Sequence, residues 1–313
     1  MCQATLRARS DRGKFFGVNL LSEAGLGALA ALGSAAIWAV ISLRVRQLTP
    51  ALNSITINAV RMSVSGGLLL AWVIVTQGTA ELLAMSPAAF ALLVLSIVVA
   101  TGVGDTAFFE SSRSIGLARA MTVSTTYPVI AAGLAAALLG ELVSARVAAG
   151  SLVTLAGLVL IVSARSDHVP AHLGFRVGLA VAALAAVAWA VSVILLRPPL
   201  REMGALTAQA VRLPVAGALL SMTPWARGGV ARLRAGGRAL MWRMGAIGVL
   251  TTASSVLYVS GIKYSGVAVA TVLSSTAPMF AIPLGALFLG ERLSPRAVAG
   301  ALVTVAGIAV LQL

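Results

Sequence analysis

Apolar runs of about 20 residues recur along this entire chain, and their recurrence restricts the fold more than any other feature. A helix of that length spans a hydrocarbon layer roughly 30 Å thick. Of the 313 residues, 59% are apolar and 10% are charged, whereas soluble domains carry about 25% charged residues. Inside a bilayer every backbone N–H and C=O must find a partner within the protein, so the choice is a helix bundle or a closed barrel. The runs are continuous and do not alternate with period 2, which selects the bundle. The expected class is an all-α integral membrane protein.

Ten spans can be placed, at 25–43, 54–76, 88–110, 117–139, 147–164, 174–196, 205–225, 239–261, 266–289 and 297–313. The links are short and leave no room for a soluble domain. Ser294-Pro295 reads as an N-cap hydroxyl followed by proline at the first helical position, and Ser144 is placed to cap the matching helix earlier in the chain.

The chain is also internally duplicated. A shift of 150 residues lays Pro128–Gly157 on Pro278–Gly307 with 16 identities in 30 positions and no gap. Chance matches of Ala and Leu do not explain the alignment of Pro128 with Pro278, Gly140-Glu141 with Gly290-Glu291, or Arg146 with Arg296. With a shift of 151, Trp38-Ala39-Val40 falls on Trp189-Ala190-Val191, and Ala59-Val60-Arg61 on Ala210-Val211-Arg212. Each half holds five expected spans, an odd number, so the second half enters the membrane in the opposite sense. In transporters, such inverted repeats place a substrate site at their interface near the midplane. The expected organisation is a basic N-terminal tail (1–24), a first repeat (25–164), a linker (165–173) and a second repeat (174–313).

Charge and cysteine usage exclude several alternatives. The net charge of +14 comes from Arg residues clustered between apolar runs, where they set topology and meet lipid headgroups; no nucleic-acid partner is expected. Cys2 is the only cysteine, so no intrachain disulfide or thiolate cluster can form. Arg7, Arg9, Arg12 and Lys14 precede an apolar run in the manner of a signal peptide, but that run continues for a full span and is read as a retained helix. No Gly-x-x-x-x-Gly-Lys pattern for nucleotide occurs. His168 and His172 lie in the linker without mid-span partners, so neither a metal nor a cofactor is expected.

Polar residues within spans are costly and are candidate sites by default. Arg61 and Arg212 match across the repeat, each preceded three residues earlier by an amide, Asn58 and Gln209, on the same helical face. They either bind an anionic or carboxylate group or serve packing and headgroup contacts. Asp105 and Glu110 break the repeat, since Ser255 and Ser260 stand at the matching positions. Asp105 shares a stripe with Thr101, Phe108 and Ser112 and is a proton-coupling candidate with Glu110; the alternative is an ion pair with Arg61 or Arg113. Trp38 and Trp189 lie mid-span and either stack on a solute or pack across the repeat axis. Tyr127, Tyr258 and the run Ser274-Ser275-Thr276, like Ser124-Thr125-Thr126, offer hydroxyls that either line a cavity or satisfy carbonyls freed by the prolines that follow. Gly150, Gly157, Gly300 and Gly307 lie in small-residue stretches that let helices approach closely, or form a dimer face.

Together, the two Pro…Gly-Glu blocks at 128–157 and 278–307, a tryptophan in the first span of each repeat and an arginine in the second resemble the EamA-type drug/metabolite transporter superfamily. The resemblance runs from about Gly25 to the end of the chain. It implies a ten-helix secondary carrier of the bacterial cytoplasmic (inner) membrane, commonly an exporter of amino acids or other metabolites. Its partners are then a small-molecule solute and membrane lipids, as a monomer or homodimer. The family pattern also places both termini in the cytoplasm, although the five arginines from Arg227 to Arg243 then lie outside, against the positive-inside rule. A passive facilitator or exchanger, a membrane-embedded lipid-modifying enzyme, and a channel or scaffold are the competing classes. The last two predict a catalytic cluster at one face or a filter motif, and neither is visible in the sequence.

Overall fold

The computed structural model describes residues 14–15, 18–19, 22–139, 145, 149–150, 152–154, 156–157, 160, 174–291 and 294–310. The first repeat contributes α1 (Glu23–Leu48), α2 (Ser54–Thr76), α3 (Pro87–Ile115), α4 (Leu117–Ser124) and α5 (Tyr127–Leu139). From the second come α6 (Phe175–Leu196), α7 (Ala205–Met222), α8 (Gly237–Ser274), α9 (Ala277–Leu289) and α10 (Pro295–Val310). A two-residue antiparallel pair, Lys14–Phe15 with Val18–Asn19, precedes them. Among the described residues, six helices are long and apolar enough to cross a membrane, and 277–289 and 298–307 are shorter apolar helices. The outward faces carry exposed Leu68, Trp72, Phe90, Leu184, Val249 and Phe288, suited to lipid. The chain is a multi-pass helical membrane protein.

Helix starts follow local chemistry. Ser22 Oγ accepts from the Gly25 N–H at 3.1 Å, Asn53 Oδ1 from Thr56 N–H at 2.7 Å, and Ser86 Oγ from Ala89 N–H at 3.1 Å with Pro87 at the first turn. Pro295 opens α10 directly after Ser294, as expected. Ser144, His168 and His172 lie outside the described residues, as does most of the expected fifth span.

Contacts repeat with the halves exchanged. Gly66 faces Pro214 so closely that a Cβ would lie 2.4 Å from its nitrogen, and Gly217 faces Ser63 N at 2.6 Å; a shift of 151 converts one contact into the other. As α2 advances from 63 to 66, its contacts retreat along α7 from 217 to 214, so these matched helices cross antiparallel. Gly157 against Thr304 (2.4 Å) and Gly307 against Thr154 (2.3 Å) form a second reciprocal pair, related by the shift of 150. Lipid tails are as apolar as leucine, so helix association in a membrane relies on such close packing. Each repeat's first helix also lies against the other's third: α1 packs along α8, and α6 along α3.

Two matched segments differ. Within α3 the stretch Val98–Asp105 is a π-helix, whereas the matching 248–255 is regular α-helix. Chain direction breaks at Gly116, which takes φ +85° before α4, and there the Glu291 carboxylate accepts from the N–H groups of Leu117 (2.7 Å) and Ala118 (3.5 Å). The matching Gly266 lies inside α8, which runs unbroken to Ser274. The expected boundary between spans at 261–266 is therefore corrected: no proline enforces it, and helix continues until Ser275-Thr276. Span 117–139 likewise divides, at Thr125-Thr126. There Thr125 and Thr126 donate to the carbonyls of Met121 (2.8 Å) and Val123 (2.7 Å), and Ser275 and Thr276 do the same for Thr271 (2.8 Å) and Leu273 (2.6 Å).

Candidate functional site

At the junction of the two repeats lies a cavity of about 170 Å³, lined by residues of both halves. For scale, an apolar cavity of about 150 Å³ admits benzene. Trp38, Arg61, Asp105, Tyr127, Trp189, Gln209, Arg212, Tyr258 and Ser274 line it. Of the residues singled out from the sequence as binding or proton-coupling candidates, Asn58, Phe108 and Glu110 are not part of that lining, and of the two hydroxyl runs only Thr125 and Ser274 reach it.

Arg61, projecting from α2, is 1% exposed and ion-paired with Asp105 of α3. Its Nε donates to Asn58 Oδ1 at 2.8 Å, which puts Asn58 behind the guanidinium. Asn58 is held in turn by Thr106 Oγ1 at 3.0 Å. The guanidinium carbon lies 5.4 Å from the ring centre of Trp38 and 5.3 Å from that of Phe109, within cation–π range. The other oxygen of Asp105 accepts from Trp189 Nε1 at 3.0 Å, so the carboxylate ties both halves together. Gly104 makes this contact possible, because a Cβ there would lie 2.6 Å from the indole. The π-helix brings Thr101 and Asp105 to the cavity, and it departs from the repeat just where Asp105 does.

Aromatic rings form the wall beside this pair. Trp38 and Trp189 meet edge-on with centres 5.9 Å apart, Phe108 lies 5.8 Å from Trp38 and 5.6 Å from Trp189, and Tyr127 meets Trp189 edge-on at 6.1 Å. Phe108 is therefore a core residue behind the tryptophans. The hydroxyls of Tyr127 and Tyr258 are 3.2 Å apart. Glu110 is placed elsewhere: it pairs with Arg113 at 3.0 Å and accepts from Ser54 Oγ at 2.5 Å.

The second repeat treats its arginine differently. Arg212, 4% exposed, donates to Gln209 Oε1 (2.8 Å), Ser96 Oγ (3.1 Å) and Ser192 Oγ (3.5 Å). Gln209 donates in turn to the Ser255 carbonyl at 3.1 Å. All these acceptors are neutral, and no carboxylate pairs with Arg212 among the described residues. Ser274 Oγ is buried there without a hydrogen-bond partner among the described residues.

Sequence reading passed over Ser34, Ser192, Thr251 and Ser254, which also line the cavity. Ser34 and Ser254 are bonded across the repeats, with Oγ atoms 3.1 Å apart. A signal was present: Ser34 and Ser192 lie four residues before Trp38 and three after Trp189, on the faces already marked by those rings.

A multi-pass helical protein whose two matched halves enclose a polar-and-aromatic cavity has the architecture of a membrane transporter. The family model described as EamA-like transporter family matches this chain twice, over residues 25–163 and 176–313. The chain belongs to that family. A protein of Archaeoglobus fulgidus described as an uncharacterized transporter is 28% identical over 222 residues, which span 71% of this chain and 76% of that protein. A solved structure described only as a crystal structure of a protein shares the fold at TM-score 0.65, with 19% identity, and the match covers 91% of this chain and 95% of that one. Family and relative both point to a transporter and not to an enzyme.

Proposed function

We propose that the chain is a secondary transporter that exports small metabolites, amino acids or related organic solutes, by alternating access between two inverted five-helix repeats. The observation that carries this reading is the cavity, which is built from residues of both halves and bounded by matched helices that cross antiparallel. Rocking one half against the other opens such a site to each face in turn. The two conformations of matched sequence, broken at Gly116 and continuous through Gly266, support the motion, because alternation requires equivalent segments to exchange shapes. Ten spans, an inner-membrane location, cytoplasmic termini and action as a monomer or homodimer complete the proposal.

Asp105 is the counter-ion of Arg61 in this conformation, so proton coupling through it requires the pair to open during the cycle. A passive facilitator or exchanger needs no such opening, and the pairing of both Asp105 and Glu110 favours that second reading of the energetics. The test begins with metabolite profiling of cells with and without the protein. Enriched solutes are then assayed for counterflow in liposomes, with and without a proton gradient. Counterflow of at least one solute is expected; flux in none of them refutes the proposal. A C-terminal reporter active only outside the cytoplasm would overturn the orientation.

A further inference from the structure

The unequal treatment of the two matched arginines points to an anion subsite at Arg212, and we infer that the preferred solute is a small organic monoanion whose carboxylate docks there. This inference rests on the transporter reading and narrows its substrate class. In the first repeat Arg61 has an internal carboxylate, Asp105. The position matched to Asp105 is Ser255, which also lines the cavity. Gln209, the amide three residues before Arg212, donates to the Ser255 backbone carbonyl at 3.1 Å, so this serine adjoins the arginine's own network. Where one repeat supplies a carboxylate, the other has a serine whose hydroxyl is turned back to its own helix, donating to the Thr251 carbonyl at 2.7 Å.

The electrostatic balance follows. Arg61, Asp105 and Arg212 are the charged side chains of the lining, giving a formal charge of +1 in a membrane interior where unpaired charge is costly. Arg212 uses three of its five N–H groups on neutral oxygens, one of them at 3.5 Å. That leaves donors for the planar, two-point recognition of a carboxylate that suits guanidinium. Ser274 Oγ, buried and without a hydrogen-bond partner among the described residues, is a further polar group of the same cavity. Ile97, Val193, Leu196 and Leu213 supply apolar wall for the rest of the solute. A monoanion neutralises the cavity, whereas a zwitterion brings an ammonium group for which the lining holds no carboxylate beyond Asp105, already committed to Arg61 and Trp189.

Three probes share a carbon skeleton and differ in charge: 4-methylpentanoate, leucine and 4-methylpentanamide. Titration calorimetry on the purified full chain should show the carboxylate bound at least tenfold more tightly than the other two. Arg212→Gln should abolish that preference. Ser255→Asp places a carboxylate on the cavity lining next to the Gln209–Arg212 network, and it should also lose the preference, because the added negative charge neutralises the +1 of the lining. Equal binding of the three probes, no binding of 4-methylpentanoate, or a preference that survives Ser255→Asp would overturn the inference. Liposome counterflow separates this result from the broader one. Anion-selective binding without flux sinks the transport reading and supports the subsite, while flux indifferent to Ser255→Asp sinks the subsite and leaves transport standing.

Discussion

Replacing Asp105 by Asn removes one charge from the centre of the molecule while almost preserving shape, and its cost can be worked from the contacts. Arg61 is 1% exposed and keeps Asn58 as acceptor at 2.8 Å, together with the Trp38 and Phe109 rings. It loses its counter-ion. Breaking a buried ion pair by removing one partner costs about 3–5 kcal/mol. Trp189 and the guanidinium donate to different oxygens of Asp105; asparagine keeps one acceptor and turns the other into an NH2 donor, so one of these contacts survives as a neutral hydrogen bond, which returns about 1 kcal/mol. The expected destabilisation is therefore about 2–4 kcal/mol, measured as reversible unfolding of the purified protein in mixed micelles. A double variant, Arg61→Met with Asp105→Leu, leaves no unpaired charge, although it strands the Trp189 N–H, and should be more stable than Asp105→Leu alone. Asp105→Asn within about 0.5 kcal/mol of the parent, or a double variant less stable than Asp105→Leu alone, would refute the reasoning. Any proton-gradient dependence of transport should then disappear in Asp105→Asn.

Three other outcomes are expected. Gly66→Ala and Gly217→Ala each force a methyl against backbone of the opposing helix and should cost similar amounts, about 1–3 kcal/mol by the same unfolding assay; a large effect at one position only would contradict the reciprocal crossing. Trp189→Phe deletes the indole donor to Asp105 and should cost about 1.5–3 kcal/mol, more than the matched Trp38→Phe, which loses no such bond; equal losses would count against the role given to that hydrogen bond. Removing the carboxylate in Glu291→Ala leaves the first amides of α4 uncapped, at a cost of about 0.5–2 kcal/mol. Hydrogen exchange at Leu117 and Ala118 should quicken relative to Met121, and unchanged exchange at those two amides would show that the cap is not formed.

The amino-acid sequence alone determined the membrane class and the duplication, because bilayer thickness, backbone hydrogen bonding and a fixed shift of 150 to 151 residues are legible in one dimension. It also marked Trp38, Arg61, Asp105, Trp189 and Arg212, since polar or indole side chains inside apolar runs are conspicuous there. Tertiary structure decided which of these meet. Asp105 bonds to Arg61 and to Trp189 of the other repeat, and no spacing rule links positions 105 and 189, because the partner is chosen by how α6 crosses α3. The same holds for Phe108, which shares a helical stripe with Asp105 yet packs behind the tryptophans, and for Glu110, which is turned to Ser54 and Arg113. The break at Gly116 and its absence at Gly266 also depended on the fold: the same residue adopts φ +85° where Glu291 from the other repeat caps the next helix, and remains helical elsewhere. Sequence set which groups were available to a solute; the crossing of the two repeats set which arginine already had its carboxylate and which did not.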